Sequence, residues 1–81
     1  MPRIRRRGVP KALLEHLWLR VDEREISVLQ LELFAIWLET GPVVPHGKWF
    51  KLFPEMIVCG EGELVKTFLR PGQVAEGEEI A

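Results

Sequence analysis

The spacing of apolar residues changes at Gly41-Pro42, and this change limits the folds open to the chain. Before it, apolar residues recur at helical intervals of three and four; after it, they alternate as in strands. Gly41 can take the positive φ that often ends a helix, and Pro42 prevents continuation. The pattern predicts an α+β domain in which two N-terminal helices pack on one face of a small antiparallel sheet of about three strands.

Two helices are predicted before Gly41. The first, near residues 10–24, begins at Pro10, because a proline there lacks only an N–H that would be unpaired anyway. Its apolar stripe is formed by Leu13, Leu14, Leu17 and Val21, with Trp18 at the margin. The second helix, near residues 28–40, follows Ser27, which forms a capping-box signature with Gln30.

Three strands are predicted after Gly41, near residues 48–53, 56–60 and 64–70. Pro54 ends the first strand, and the two glycines of the segment 60–63 indicate a hairpin turn between the second and the third. In the third strand, simple alternation places Lys66 and Arg70 on the face opposite Thr67.

The 81 residues are enough for one small domain. We assign residues 1–8 to a basic N-terminal arm, 9–72 to a single α+β domain and 73–81 to an acidic C-terminal tail. The net charge is −1, so no overall field attracts nucleic acid, although charge of each sign is concentrated at one end.

A cytoplasmic location and the absence of a membrane span are expected. The single cysteine, Cys59, cannot form an internal disulfide. The most apolar window, residues 28–38, contains Gln30 and Glu32 and is too short to cross a bilayer.

The second predicted helix is apolar around most of its circumference. Only a narrow stripe near Glu32 and Glu39 is charged. Such a helix is either central to the fold or covered by a second subunit. Because a domain of this size has little material to cover two helix faces, we expect a homodimer that buries part of this helix.

His16, Arg20 and Arg24 follow one another at four-residue intervals and form a basic stripe on the first helix. Metal-independent RNA cleavage needs a base, an acid and cations that stabilise the phosphorane. A histidine titrates near neutrality, and arginines bind phosphate through two parallel hydrogen bonds. Thr67 could donate a further hydrogen bond to a phosphate oxygen.

The same stripe has a simpler interpretation as a solvated helix margin. Arg20 can pair with Glu23, and Arg24 has acidic neighbours in sequence. Each such pair contributes only about 0.3–0.5 kcal/mol. At i and i+4 the two arginines repel each other by a similar amount, which is the one local observation against this interpretation.

The segment His16-x3-Arg20-x3-Arg24-x-Ile26-Ser27, together with Thr67 in a late strand, resembles the signature of a family of small bacterial domains without an assigned activity. That family is grouped with the RelE-, barnase- and colicin-like ribonuclease toxins, which share two helices followed by an antiparallel sheet. The similarity covers roughly residues 13–70. It implies catalytic roles for His16, Arg20 and Thr67, and phosphate binding by Arg24.

The N-terminal arm offers two further phosphate ligands, Arg5 and Arg6, unless it is only a solubilising tail. No metal or other cofactor is expected, because His16, His46 and Cys59 lack short-range ligand spacing. Cys59 lies in an apolar run that would raise its pKa, which is unfavourable for a nucleophile.

The aromatic residues of the first strand, interleaved with lysines, resemble a nucleic-acid platform. At strand spacing half of the aromatic residues Trp49, Phe50 and Phe53 must face the core, so core packing is the preferred interpretation of this set.

Three functions are compatible with these features. The first is a ribonuclease-toxin-like domain that acts on RNA without a metal, which the resemblance favours. The second is a non-enzymatic, nucleic-acid-binding regulator that uses the basic arm and the arginine stripe. The third is a protein-interaction module, such as an antitoxin, an immunity protein or an assembly factor, that binds a cognate protein through the apolar second helix.

Overall fold

Both predicted helices and all three predicted strands are present, in the predicted order. A computed structural model describes residues 3–5, 10–23 and 26–80. The elements are α1 (Lys11–Glu23), α2 (Val28–Glu39), β1 (Lys48–Phe53), β2 (Met56–Glu61), β3 (Leu64–Leu69) and β4 (Glu78–Glu79). The α+β prediction, with both helices ahead of the sheet, is confirmed.

Within the described residues the sheet has four strands rather than three, in the order β3-β2-β1-β4. The first three pair in antiparallel fashion, whereas β4 lies parallel to β1, with Trp49 opposite Glu78 and Phe50 opposite Glu79. The sheet is therefore mixed. A two-residue strand of glutamates has no apolar alternation by which the sequence could reveal it.

Ser27 and Gly41 act at the two ends of α2 as predicted, but the Gln30 side chain does not complete the predicted capping box. Ser27 Oγ accepts a hydrogen bond from the Gln30 backbone N–H at 3.4 Å, and Gly41 takes a φ of +67°. The Gln30 side chain turns into the core, where it is 2 % exposed and its Oε1 accepts a hydrogen bond from Glu55 N–H at 3.0 Å. Gln30 thus joins α2 to the turn between β1 and β2.

The strand register divides the sheet into two faces. On the face towards the helices, Trp49 lies opposite Gly60, and Val58 lies between Lys51 and Phe68. The buried core on this side comprises Ile4, Val44, Trp49, Met56, Val58, Val65 and Phe68. Both helices contribute to it, and their packed side chains include Leu17, Val21, Phe34, Trp37 and Leu38.

The other face of the sheet is partly covered by residues 70–77, which we call the strap. On this face Phe50, Cys59 and Thr67 are cross-strand neighbours. The strap connects β3 to β4, and its residues 74–76 line a groove together with Cys59 and Thr67.

Part of the predicted N-terminal arm is integrated in the fold. Arg3 forms an isolated antiparallel bridge with Val43, and its Nη1 donates a hydrogen bond to Gly41 O at 3.0 Å. Ile4 is 8 % exposed and belongs to the core. Residues 3–5 therefore contribute packing as well as charge.

Trp49 is fully buried, and it lies against a glycine on the neighbouring strand. A Cβ added to Gly60 would overlap the Trp49 ring and would lie 2.7 Å from Leu64 O. The indole Nε1–H donates to Gly62 O at 2.9 Å, which satisfies the one polar atom of this buried side chain. Core packing of Trp49 is thus confirmed, and it explains the glycine at position 60.

We predict that Gly60→Ala lowers the free energy of unfolding by about 1–3 kcal/mol, because the added methyl overpacks the Trp49 site. Chemical denaturation followed by fluorescence measures the change. Gly47→Ala is the matched control, since a Cβ at Gly47 meets nothing within 4 Å. Equal stability of the two variants would contradict the role assigned to Gly60.

Candidate functional site

Two members of the basic stripe, His16 and Arg20, lie on α1, which packs mainly against β3. His16 is partly exposed at the margin of this helix. Arg20 belongs to the same helix, but its side chain is outside the described part of the chain, as is Arg24 altogether. His16 and the Arg20 backbone thus lie on one helix. The positions of the two arginine side chains remain predictions from the sequence.

Thr67 lies on the far side of the sheet from α1. It is paired with Cys59, which faces Phe50, and these residues alternate with the core-facing Val58 and Phe68. Leu17 and Val21 of α1 pack on the core side. The fold does not bring Thr67 beside His16.

Of the two arm residues expected to bind phosphate, Arg5 is described and Arg6 lies outside the described residues. The Arg5 guanidinium forms an ion pair with the Glu63 carboxylate, and both side chains are less than half exposed. The Arg5 backbone N–H also donates to Glu63 O at 2.6 Å. The Arg5 guanidinium is therefore paired with Glu63, and these contacts attach residues 3–5 to the hairpin between β2 and β3.

A groove of about 330 Å³ lies between the sheet and the strap, and Lys66 lines it together with Thr67. The prediction that these two side chains occupy opposite faces is wrong. The pairing shifts between Cys59 and Gly60, so that Cys59 pairs with Thr67 but Gly60 pairs with Val65. This β-bulge adds one residue to β3 and breaks the simple alternation.

The groove carries charges of both signs. Lys48 Nζ donates to Glu76 Oε2 at 2.9 Å, and this hydrogen bond raises the pKa of Lys48 and lowers the pKa of Glu76. Glu61 lines the same groove as Lys66. Burial raises the pKa of Cys59, so its thiol is a poor nucleophile at neutral pH. The groove has neither a net positive charge nor an activated nucleophile.

A second cavity, which we call the helical cleft, opens between α1 and α2. Its volume is about 350 Å³. Most of its lining is apolar, and the residues are Ile4, Arg5, Leu14, Leu17, Phe34, Ala35, Leu38, Glu39 and Val65. Because α1 lies mainly over β3 whereas α2 lies over β1, neither helix fills the space between them.

Large apolar side chains are exposed on the outer surfaces of both helices. Trp18 is 73 % exposed and Val28 is 70 % exposed. Leu14, Leu19, Leu29 and Ile36 are also more than half exposed. We give the name helical patch to the exposed apolar residues Leu14 and Ala35, which line the cleft, together with Trp18 and Val28 of the same two helices. Clustered exposed apolar side chains of this size are typical of binding surfaces.

Neither metal-binding clusters nor membrane-spanning helices are found in the described ranges. Within residues 3–5, 10–23 and 26–80, no three His, Cys, Asp or Glu side chains are grouped so that they could hold a metal ion. No helix there has both the length and the apolar character needed to cross a membrane.

Comparisons with known proteins add no assignment. No protein-family model, curated protein or solved structure matches this chain.

Sequence reasoning missed the two helix residues that best define the candidate site. The sequence pattern places Trp18 only at the margin of a core stripe, and Ala35 is one apolar residue among many on α2. Helical periodicity identified the apolar surface, but it carried no information on how far apart the two helices lie. The cleft depends on that separation.

We predict that Glu76→Gln increases the rate at which the Cys59 thiol reacts with 4,4′-dithiodipyridine by about 1.5- to 5-fold at neutral pH. The reason is that the substitution removes the exposed ion pair between Lys48 and Glu76, which holds the strap over Cys59. Glu15→Gln, an exposed substitution on α1, is the control. Unchanged Cys59 reactivity in Glu76→Gln would exclude this role of the ion pair.

The pH dependence of that effect follows from the two pKa shifts. Because the pKa of Glu76 is lowered, its contribution is complete above the ordinary glutamate pKa and is lost as the pH falls through the lowered value. Because the pKa of Lys48 is raised, its contribution is complete below the ordinary lysine pKa and is lost as the pH rises through the raised value. The rate ratio of variant to wild type should therefore approach one in acid.

Proposed function

We propose that this chain is a protein-interaction module whose helical patch binds another polypeptide. The observation that carries the proposal is the exposure of large apolar side chains on both helices beside an open apolar cleft. Exposed apolar side chains are costly in water, and covering them with a partner regains their burial energy. A Trp at such a patch is also a frequent hot spot for binding.

The distribution of charge supports a protein partner rather than nucleic acid. The charges on α2 are those of Glu32 and Glu39, and Arg5, which also lines the cleft, is paired with Glu63. Phosphate backbones require basic surfaces, and carboxylates beside a binding site repel them. The helical patch therefore fits an apolar polypeptide surface with basic residues near its edge.

The positions of the predicted catalytic residues also favour binding over catalysis. His16 lies on α1, whereas Thr67 lies on the opposite face of the sheet, under the strap. A general base and a phosphate donor must reach one scissile bond together. In this arrangement any cleavage mechanism would have to proceed without Thr67.

We predict that a photo-crosslinking benzoylphenylalanine placed at Val28 forms a covalent adduct with a protein in the cells from which the chain comes, because Val28 is 70 % exposed at the helical patch. The same group placed at Val74, which is 89 % exposed on the strap, is the control and should give no matching adduct. Denaturing electrophoresis and mass spectrometry identify the products.

Specificity is tested by adding Leu14→Glu to the crosslinking variant, which places a charge in the patch and should eliminate the adduct. The corresponding change on the other surface is Leu52→Glu, at a side chain that is 50 % exposed, and it should leave the adduct intact. Equal products from Val28 and Val74, or none from Val28, would contradict the proposal.

A metal-independent ribonuclease activity is a second proposal. It is supported by the order of elements, because two helices followed by a mainly antiparallel sheet are what the family resemblance implies. His16, partly exposed on α1, would be the general base, with Arg20 and Arg24 as phosphate ligands.

For this second proposal, His16→Ala should abolish cleavage of RNA while lowering Tm by no more than about 2 °C, because a margin residue contributes little packing. His46→Ala is the matched control, since His46 is an exposed loop histidine. Cleavage by His16→Ala at the wild-type rate would remove His16 from the mechanism.

A further inference from the structure

We infer that the occupant of the helical cleft is a second copy of this chain, and that Trp18 of each copy fills the cleft of the other. This inference rests on the proposed function, because it names the partner of the helical patch. In this dimer the cleft of each copy is filled by Trp18 of the other copy.

The cleft is an unfilled cavity of suitable chemistry for an aromatic side chain. Its walls include Leu14 and Leu17 on one side and Phe34, Ala35 and Leu38 on the other. The volume of about 350 Å³ accommodates a bicyclic indole, and the small side chain of Ala35 occupies little of the cleft. An aromatic side chain inserted here would contact rings and branched aliphatic groups, which gives it a large apolar contact area.

Trp18 lies on the helix that forms one wall of the cleft, but it is not one of the residues that line it. It follows Leu14 by four residues and Leu17 by one, so it lies on the margin of α1 next to the cleft. Its 73 % exposure means that the indole extends into solvent and away from its own cleft. At that exposure it presents on the order of 150–180 Å² of mostly apolar surface.

The neighbouring positions of Trp18 and the cleft have the symmetry that a homodimer requires. In a twofold interface, the same patch of both copies is buried, so a projection and its complementary cavity must lie on one patch. Here both lie on α1 and its boundary with α2. Two Trp18 insertions are then made at once, each related to the other by the twofold axis.

The available apolar area is sufficient for association. Besides Trp18, the patch exposes Leu14 at 52 % and Val28 at 70 %. With the cleft lining added, each copy offers several hundred Å², which is the area of a small interface rather than the roughly 800 Å² per partner of a standard one. A heterologous partner would need its own aromatic projection, whereas a second copy already carries one.

Charge at the edge of the cleft is complementary to the approaching helix. Arg5 and Glu39 both line the cleft, and Arg5 is paired with Glu63. Glu39 is the last residue of α2, where a negative charge is unfavourable with the helix dipole. Lys11 lies two turns before Trp18 on the same margin of α1 and is exposed. When Trp18 enters the partner's cleft, the Lys11 ammonium of that copy approaches the cleft edge that carries Glu39.

The first test is sedimentation equilibrium of the full chain across the micromolar range. The wild type should exceed the monomer mass of 9.4 kDa and approach twice that value. Trp18→Ala should raise the dimer Kd at least about 30-fold, as expected for a central hot-spot side chain. Leu52→Ala, at a half-exposed leucine away from the cleft, should change the Kd less than about 3-fold.

A second variant tests the cleft separately from the projection. Ala35→Phe fills the cavity with a side chain of the same copy, so that Trp18 of the partner has no site. Each variant alone should associate at least about 30-fold more weakly than the wild type, and the mixture should associate more tightly than either variant alone. In the mixed dimer, Trp18 of the Ala35→Phe chain enters the intact cleft of the Trp18→Ala chain, and one of the two insertions is restored.

Acrylamide quenching of tryptophan fluorescence tests the same inference on the wild type alone. Trp18 is the most exposed of the three tryptophans, since Trp49 is fully buried and Trp37 is packed against the core. Quenching of its fluorescence should decrease as the protein concentration rises through the dimer Kd.

Circular dichroism verifies that each variant is folded.

The outcomes separate this inference from the proposed function. A wild type that stays at 9.4 kDa, a dimer unaffected by Trp18→Ala, or variants that fail to associate when mixed would overturn the Trp18 insertion. If the Val28 crosslinker then captured a different protein, sensitive to Leu14→Glu, the interaction module would stand with a heterologous partner. A monomer without any patch-specific adduct would overturn both.

Discussion

The structure depends on the burial of one tryptophan between a strand and a helix. Trp49 of β1 lies on Gly60 of β2, donates its indole N–H to Gly62 O, and lies 6.0 Å from the Trp37 ring of α2. These contacts fix the hairpin, the register of β1 on β2 and the position of α2 together. The cost of burying the indole N–H is offset by its hydrogen bond, and the ring contributes a large apolar area.

This arrangement also determines which surfaces remain uncovered. Trp37 and Phe34 direct the inner side of α2 towards Phe53 and Phe68, so the outer side, with Val28 and its neighbours, faces solvent. The α1 helix packs over β3 instead, and the cleft remains between the helices. A chain of this size cannot cover both helices with its own residues. The proposed interaction surface is the consequence of that shortage.

The opposite face of the sheet is covered differently. The strap crosses it and ends in β4, where Ile80 N–H donates to Phe50 O at 2.8 Å. Gly77 takes a φ of +102° in close contact with Lys48, a position that a side chain could not share. Thr67 and Cys59 therefore lie beneath a connecting segment on the side away from α1, and this arrangement separates Thr67 from His16.

Local signals in the sequence were sufficient for the elements. Ser27 predicted the start of α2, Gly41-Pro42 its end, and Pro54 the end of β1, because caps and breakers act on the backbone within a few residues. The spacing of apolar residues also showed that α2 has more apolar surface than one small sheet can cover. The candidate catalytic set could not be judged in this way, because it joined α1 to a strand about fifty residues away.

By itself, the sequence determined the helices, three of the four strands and the excess of apolar surface, since these depend on side-chain periodicity and on short-range backbone preferences. Only the tertiary structure decided that Gln30 is buried against Glu55, that a bulge places Lys66 beside Thr67, and that a short glutamate strand completes the sheet. It alone placed Trp18 next to an open cleft. Each of these features depends on the distance between segments remote in sequence, which periodicity does not encode.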